Sequence, residues 1–170
     1  MNKIRFVEDI KKKACYTALD FENEIKNVTP FQYSLPDGSS LTIKEERIIC
    51  PEALFYPLKI ERTGNNIAGL CNESIQNCDL SIRKELYKNI CLSGGTSMFK
   101  GLPERFTKEL KALVPESMKQ KLKIITKLDR QSLAWLGGSI IASVSSFESI
   151  RITQREYKEK GINVVYESKL

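Results

Sequence analysis

The chain has 170 residues, 41% hydrophobic and 28% charged, with a formal net charge of +6 and no histidine. That length suits one domain or two small lobes around a buried core. The missing histidine excludes Ser-His-Asp and Cys-His triads, histidine-bearing zinc sites and histidine general bases, leaving carboxylates, lysines and backbone groups for any chemistry. Positive residues are interleaved with acids except at Lys11-Lys12-Lys13, which favours a solvated surface over a nucleic-acid groove. No aromatic residues interleave with those lysines, as a single-strand binder would need. The cysteines Cys15, Cys50, Cys71, Cys78 and Cys91 form no C-x-x-C pair and read as reduced, small hydrophobes of a cytosolic or nuclear protein. No apolar run approaches the roughly 18 residues that span a bilayer, and the charged N-terminus does not read as a signal peptide.

Residues 3 to 26 read as one helix, with Ile4, Val7, Ala14, Cys15, Ala18 and Leu19 on its inner face. Pro30 biases its predecessor away from α and ends that segment. A hairpin follows: Phe31, Tyr33 and Leu35 alternate with polar residues, Pro36-Asp37-Gly38 turns the chain, and Leu41 and Ile43 return. Ile48 and Ile49 are expected to continue the sheet until Pro51. Residues 57 to 66 read as a polar connection.

Ile67 to Asn77 then reads as a helix with Ile67, Leu70, Cys71, Ser74 and Ile75 inward. Asp79 caps the next, which directs Ile82 and Leu86 inward. Ile90-Cys91-Leu92 is a short strand. Pro103 suits the first turn of a helix in which Leu102, Phe106, Leu110 and Leu113 recur, and Pro115 closes it. Leu122 to Thr126 is a second β-type run. Trp135 to Val144 is a nearly uncharged helix expected to be buried on most sides, with Gly137-Gly138 marking close helix packing ahead of a ligand role. Thr153 to Glu156 is a capping box for a last helix that Gly161 ends. The order gives an α/β fold with a mixed sheet.

The stretch that organises the chain is Ser93-Gly94-Gly95-Thr96-Ser97-Met98-Phe99-Lys100-Gly101, between strand and helix. Two glycines permit positive φ and close approach of a ligand to the main chain, and the free N–H groups of such a turn can point at a nucleotide. A plain strand-to-helix loop reads equally well. Neither G-x-G-x-x-G nor the Gly-Lys-Ser/Thr of a P-loop is present.

Several segments together resemble the C-terminal part of actin: Asp9-Ile10-Lys11, Cys15-Tyr16, Ala18-Leu19-Asp20-Phe21-Glu22, Leu35-Pro36-Asp37-Gly38, Cys50-Pro51-Glu52-Ala53-Leu54-Phe55, Ile82-Arg83-Lys84, Leu92-Ser93-Gly94-Gly95-Thr96, and Trp135 with Gly137-Gly138-Ser139-Ile140. They stand in family order across almost the whole chain, with a small insertion around Lys119 and Gln120. The resemblance implies the later half of the actin-like ATPase (ribonuclease-H-like) fold, a mixed sheet with flanking helices. Residues 1–134 would be part of the large lobe, holding the adenosine side of the nucleotide cleft and a helix-hairpin segment at 3–50. Residues 135–170 would be C-terminal helices belonging to the other lobe.

The phosphate-binding hairpins, the cation-holding carboxylate and the water-orienting residues belong to the family's earlier half, so the resemblance implies either a fragment or a shortened member unable to hydrolyse ATP alone. It implies ATP or ADP with magnesium as ligand, with Gly95, Met98 and Phe99 lining base and ribose, Gly94 and Thr96 shaping the loop, and Lys11 reaching from the first helix. Four positions depart. The family's ribose-binding acid is Lys12, its basic cleft residue is Glu8, its adenine-flanking lysine is Gln131, and Phe99 lacks the usual tyrosine hydroxyl. An ammonium cannot accept from ribose hydroxyls, so weakened or altered nucleotide binding is expected.

The family's apolar filament loop is replaced by Lys59-Ile60-Glu61-Arg62, and charge set against an apolar partner costs desolvation. The groove that binds actin regulators keeps an apolar lining in Leu136, Ile140, Ile141, Val144 and Ile150, residues that also suit a simple core. Two readings of function follow. One is an actin-like cytoskeletal filament or assembly subunit in the cytoplasm, contacting like subunits and actin-binding proteins, with no nucleic acid and no membrane span. The alternative is a non-polymerising actin-related scaffold, or a truncated actin without activity of its own. Ser168-Lys169-Leu170 matches the peroxisomal address and gives a minor alternative location.

Overall fold

The computed structural model describes residues 3–61 and 63–167 and divides between Gln131 and Ser132 into two units. The terminal Ser168-Lys169-Leu170 motif lies outside the described residues.

In the first unit, helix α1 (Lys3–Ala14) ends where nothing in its own sequence would end it. Its backbone donors are taken elsewhere: Tyr16 N–H donates to Arg47 O at 3.1 Å and Thr17 N–H to Lys100 O at 2.8 Å. The single helix expected over residues 3 to 26 is therefore broken. The chain runs extended past Tyr16, then Asp20 caps a short helix α2 (Phe21–Glu24) by accepting from Asn23 N–H. The inner face of α1 also differs from expectation. Ile4 and Val7 are 72% and 65% exposed, whereas Ala14 is buried and packs with Ile10 against the hairpin.

That hairpin forms as read, with β1 (Phe31–Ser34) antiparallel to β2 (Ser40–Ile43) and Tyr33 opposite Leu41. Ile48 and Ile49 do not extend it. They lie in helix α3 (Glu46–Glu52), which contains Pro51. Proline has no N–H to give the carbonyl four residues back. That carbonyl is Arg47 O, the one that accepts from Tyr16 N–H. The residue that looked like a strand stop instead frees an acceptor for a tertiary contact.

The polar connection contains a 3-10 turn, Pro57–Ile60. Helices α4 (Ile67–Gln76) and α5 (Leu80–Lys88) follow as read, α5 capped by Asp79, which accepts from Ser81 N–H. Their inward residues are partly different, since Leu70 and Ile82 are 54% and 47% exposed and Tyr87 is buried. Tyr87 fits because its hydroxyl is satisfied, donating to Asn72 Oδ1 at 2.7 Å and accepting from Gln76 Nε2 at 2.9 Å. Strand β3 (Ile90–Cys91) pairs in parallel with β4 (Ile124–Ile125), across helix α6 (Leu102–Leu113) and a short α7 (Glu116–Lys119). Phe106 and Leu110 of α6 lie in the main core with Phe55, Ala68 and Tyr87; Leu113, expected beside them, is 47% exposed. Among the described residues the strands form two separate two-stranded sheets, one antiparallel and one parallel, rather than a single mixed sheet. The α/β class holds; the sheet is smaller because residues 48–49 became helix.

The second unit contains α8 (Leu133–Ser143), α9 (Phe147–Ile150), α10 (Gln154–Lys160) and α11 (Asn163–Tyr166). The Thr153–Glu156 capping box is formed at both ends, and Gly161 ends α10 with a φ of 63°. Helix α8 is not buried: Trp135 is 75% exposed and no residue of the helix is buried. A stretch this short cannot cover a helix that is apolar on every side. Among the described residues nothing stands within 4 Å of where a Cβ would lie at Gly137 or Gly138, so these show no close helix packing there. Among the described residues no single helix is long and apolar enough to cross a membrane, and the one successive pair that passes by length and composition, Arg130–Ser143 with Phe147–Lys160, is bent by 102°.

Candidate functional site

The contacts that break α1 also build a cleft. The extended segment after α1 lies between α3, through Tyr16 and Arg47, and the loop before α6, through a parallel bridge from Tyr16 to Lys100. The Arg47 guanidinium braces this corner. Its Nε donates to Ala14 O at 2.8 Å, another of its nitrogens to Thr29 O, and its charge lies 5.2 Å from the Tyr16 ring centre. The result is a cleft of about 1060 Å³, walled by α1, the 15–17 segment and the turn after β3.

That turn is the Gly-Gly-Thr stretch. Gly94 has a φ of 93°, a left-handed angle natural to glycine, and residues Gly95–Met98 form a 3-10 turn. Ser97 locks the turn by donating Oγ–H to Gly94 O at 2.7 Å. Arg130 holds it from outside, with Nε and a terminal nitrogen on Ser97 O at 3.0 and 2.9 Å. Neither Ser97 nor Arg130 carries a sequence signal that would have singled it out.

Of the residues expected to hold a nucleotide, Lys11, Gly95, Thr96, Met98 and Phe99 line this cleft, and so do Glu8, Lys12 and Gln131. Gly94 does not line it and instead shapes the turn behind. Lys11 has no ion-pair partner among the described residues, whereas Lys12 is tied to Glu8 at 2.9 Å and Lys13 to Asp9 at 2.7 Å. Hydrogen bonding to Lys12, then its charge, holds the Glu8 carboxyl below the usual carboxylate range. Asp9 is held low by Lys13 and by the Tyr33 hydroxyl, which donates to it at 2.6 Å. A space for a Cβ at Gly95 is open. Thr17 was not anticipated. It stands at the cleft wall at 3% exposure, and its hydroxyl Oγ1 is buried with no hydrogen-bond partner among the described residues. An unpaired buried hydroxyl is costly, and this one lies beneath the cleft surface, closed to solvent.

The cleft therefore presents an unpaired ammonium, a carboxylate–ammonium pair, open glycine backbone, and the residues Met98 and Phe99. That combination suits an anionic ligand with hydroxyl groups and a flat apolar part. Among the described residues no cluster of three or more His, Cys, Asp or Glu could hold a metal ion.

The residues of the other expected surfaces are not among those that line the cleft. Leu136, Ile140, Ile141 and Val144 are 39%, 56%, 49% and 45% exposed on α8 and its end, and Ile150 is half-buried. In the loop at 59–62, Lys59 folds back so that Nζ is 4.0 Å from the Phe21 ring centre and 3.8 Å from Glu22 Oε1. Ile60 is 50% exposed, Glu61 adopts a left-handed φ of 57°, and Arg62 lies outside the described residues. A comparison with protein-family models matches the model described as Actin over residues 1–169.

Proposed function

The chain belongs to the actin family, and from that premise we propose that it is the C-terminal portion of an actin-like cytoskeletal protein, a nucleotide-binding filament or assembly subunit of the cytoplasm. The observation that carries the nucleotide part is the convergence of Lys11, Gly95, Thr96, Met98 and Phe99 on one cleft. The lining fits an adenine nucleotide: Phe99 and Met98 for the base, the Glu8 carboxylate as acceptor for hydroxyl groups, and Lys11 for the negative charge of the phosphates. Bound ATP or ADP with magnesium would supply the energy of closing two lobes. This chain's own residues would hold the nucleoside and give no general base for hydrolysis.

Glu8 and Lys12 reverse the charges that the resemblance assigns to those positions, yet they still pair, four residues apart with the acid N-terminal, the favourable order on a helix. In the proposed site the acceptor for ribose hydroxyls is therefore the Glu8 carboxylate, one turn earlier than in the family pattern. Affinity is expected to be altered rather than abolished.

Lys11→Met is the variant that tests the site. Methionine keeps a long unbranched side chain and removes a charge that no ion pair among the described residues uses, so folding stability is expected to hold. Titration of a fluorescent ATP analogue is expected to show binding about tenfold weaker, the worth of one hydrogen bond to a charged group. Equal affinity in a folded Lys11→Met chain would remove the nucleotide from this cleft.

The scaffold reading is favoured by one observation. Lys59 is engaged with Phe21 and Glu22 rather than free to meet a neighbouring subunit. Sedimentation of the full-length protein with ATP and magnesium separates the readings. A salt-dependent pellet is the expected result for a filament subunit; a persistent monomer or defined complex would transfer the proposal to a non-polymerising scaffold.

A further inference from the structure

Two cysteines, distant in sequence, meet at the back of the cleft. Cys15 directly follows α1 and lines the cleft, half-buried, while Cys50 lies in α3 and is exposed. Their closeness follows from the backbone. Tyr16 N–H reaches Arg47 O at 3.1 Å, and Arg47 Nε reaches back to Ala14 O at 2.8 Å. Cys50 is three residues beyond Arg47 on the same helix, hence on the same face, and its thiol is near enough to that of Cys15 to shift its ionisation. The remaining cysteines, Cys71, Cys78 and Cys91, stand on other elements.

We propose that Cys15 and Cys50 form a dithiol that a hydroperoxide oxidises to a disulfide, stapling the segment after α1 to α3 at the wall of the cleft. The proposal stands whether or not the cleft holds a nucleotide. The order of the two thiols follows from their surroundings. Burial pushes the Cys15 thiol up to about 11, and contact with Cys50 pushes the same way, against Arg47 and Lys11. Cys15 thus holds its proton more tightly, and Cys50 is the sulfur that solvent and reagent can reach.

The Cys50 thiolate attacks one peroxide oxygen, the O–O bond breaks, and hydroxide leaves to be protonated to water or, with an organic peroxide, alkoxide leaves as an alcohol. Cys50 becomes a sulfenic acid. The Cys15 sulfur then attacks the Cys50 sulfur and the S–O bond breaks. The proton of Cys15 goes with the departing hydroxide as water. Two thiols have lost two electrons in all, and the peroxide has accepted them. The product requires Cα atoms close enough to bridge without moving the backbone, which the paired segments on either side favour.

The experiment treats the full chain with hydrogen peroxide, alkylates the remaining thiols under denaturing conditions and maps the peptides by mass. The expected product joins the Cys15 and Cys50 peptides, two hydrogens lighter than their sum, and dithiothreitol separates them. Cys15→Ser is expected to leave a Cys50 sulfenic acid that dimedone traps. Finding Cys15 and Cys50 both alkylated while exposed Cys91 is oxidised would overturn the proposal. So would a Cys50 joined only to a second chain.

Discussion

Replacing Arg105 with alanine is expected to lower the unfolding free energy by about 3–5 kcal/mol, the cost of stranding a buried charge. Arg105 and Glu52 are 8% and 2% exposed. The guanidinium donates to both Glu52 oxygens at 3.1 and 3.0 Å, to Ala18 O at 2.8 Å and to Glu109 Oε1 at 2.6 Å, and it lies 4.9 Å from the Phe55 ring centre. One side chain thus joins α6, α3 and the segment between α1 and α2. Burial raises the Glu52 carboxyl above its ordinary value even with Arg105 present to pull it down. Without Arg105 the rise is larger.

The pH dependence follows from the sign of that shift. A carboxyl whose folded value is raised binds its proton more tightly when folded, so its stability contribution is present at low pH and lost as pH rises through the raised value. The Arg105→Ala chain is therefore expected to be least stable, relative to the parent, above that value, and to recover part of the loss below it as Glu52 becomes neutral. Urea unfolding at several pH values measures both effects. An unfolding midpoint equal to the parent's at neutral pH would show that the pair contributes nothing net.

Gly101→Ala is expected to cost about 1–3 kcal/mol for a left-handed alanine, and about 1–3 kcal/mol more for the backbone it must displace. Gly101 has a φ of 81°, and a Cβ there would stand 2.4 Å from Thr17 O. Neither atom is the loose end of a side chain. Something must move, and what moves is the segment whose Thr17 N–H to Lys100 O bond sets the floor of the cleft. The variant is expected to show faster amide exchange at Thr17 together with the loss of stability. Gly95→Ala is the matched comparison. No atom lies within 4 Å of its Cβ position and its φ is outside the left-handed range, so the fold is expected to tolerate it. An unchanged unfolding midpoint for Gly101→Ala would mean that the close approach to Thr17 is not tight in solution.

Local signals located most elements well. Phe31 to Ile43 alternated around Pro36-Asp37-Gly38 and formed a hairpin; Asp79 and Thr153 capped the helices they preceded. The Gly-Gly-Thr stretch marked one wall of the cleft because glycine at a strand end is a backbone statement readable from composition alone. Lys11 entered through resemblance, and its arrival at the same cleft depended on α1 stopping at Ala14. Thr17, Arg47 and Arg130 were not singled out. Each acts through a partner far away in sequence, or through the lack of one, and single-sequence patterns carry no such information.

Two elements were misread for the same physical reason. The 3–26 helix and the Ile48–Ile49 strand were judged by neighbours along the chain, whereas Tyr16 N–H and Arg47 O found each other across it. Helix α8 was misread differently: its apolar sequence stated that it wants a cover, and not whether this chain supplies one. What the sequence determined by itself is therefore the α/β class, most element positions and the residue types available for chemistry, because these rest on composition, periodicity, caps and turns closed within a few residues; the family came through the resemblance of its segments. The tertiary structure decided where α1 breaks, that Pro51 frees a carbonyl for Tyr16, that the Thr17 hydroxyl is buried with no partner among the described residues, and that the segment holding Cys15 lies against the helix holding Cys50. Those outcomes depend on which backbone donors reach which distant acceptors, and only the folded chain brings them within hydrogen-bonding distance.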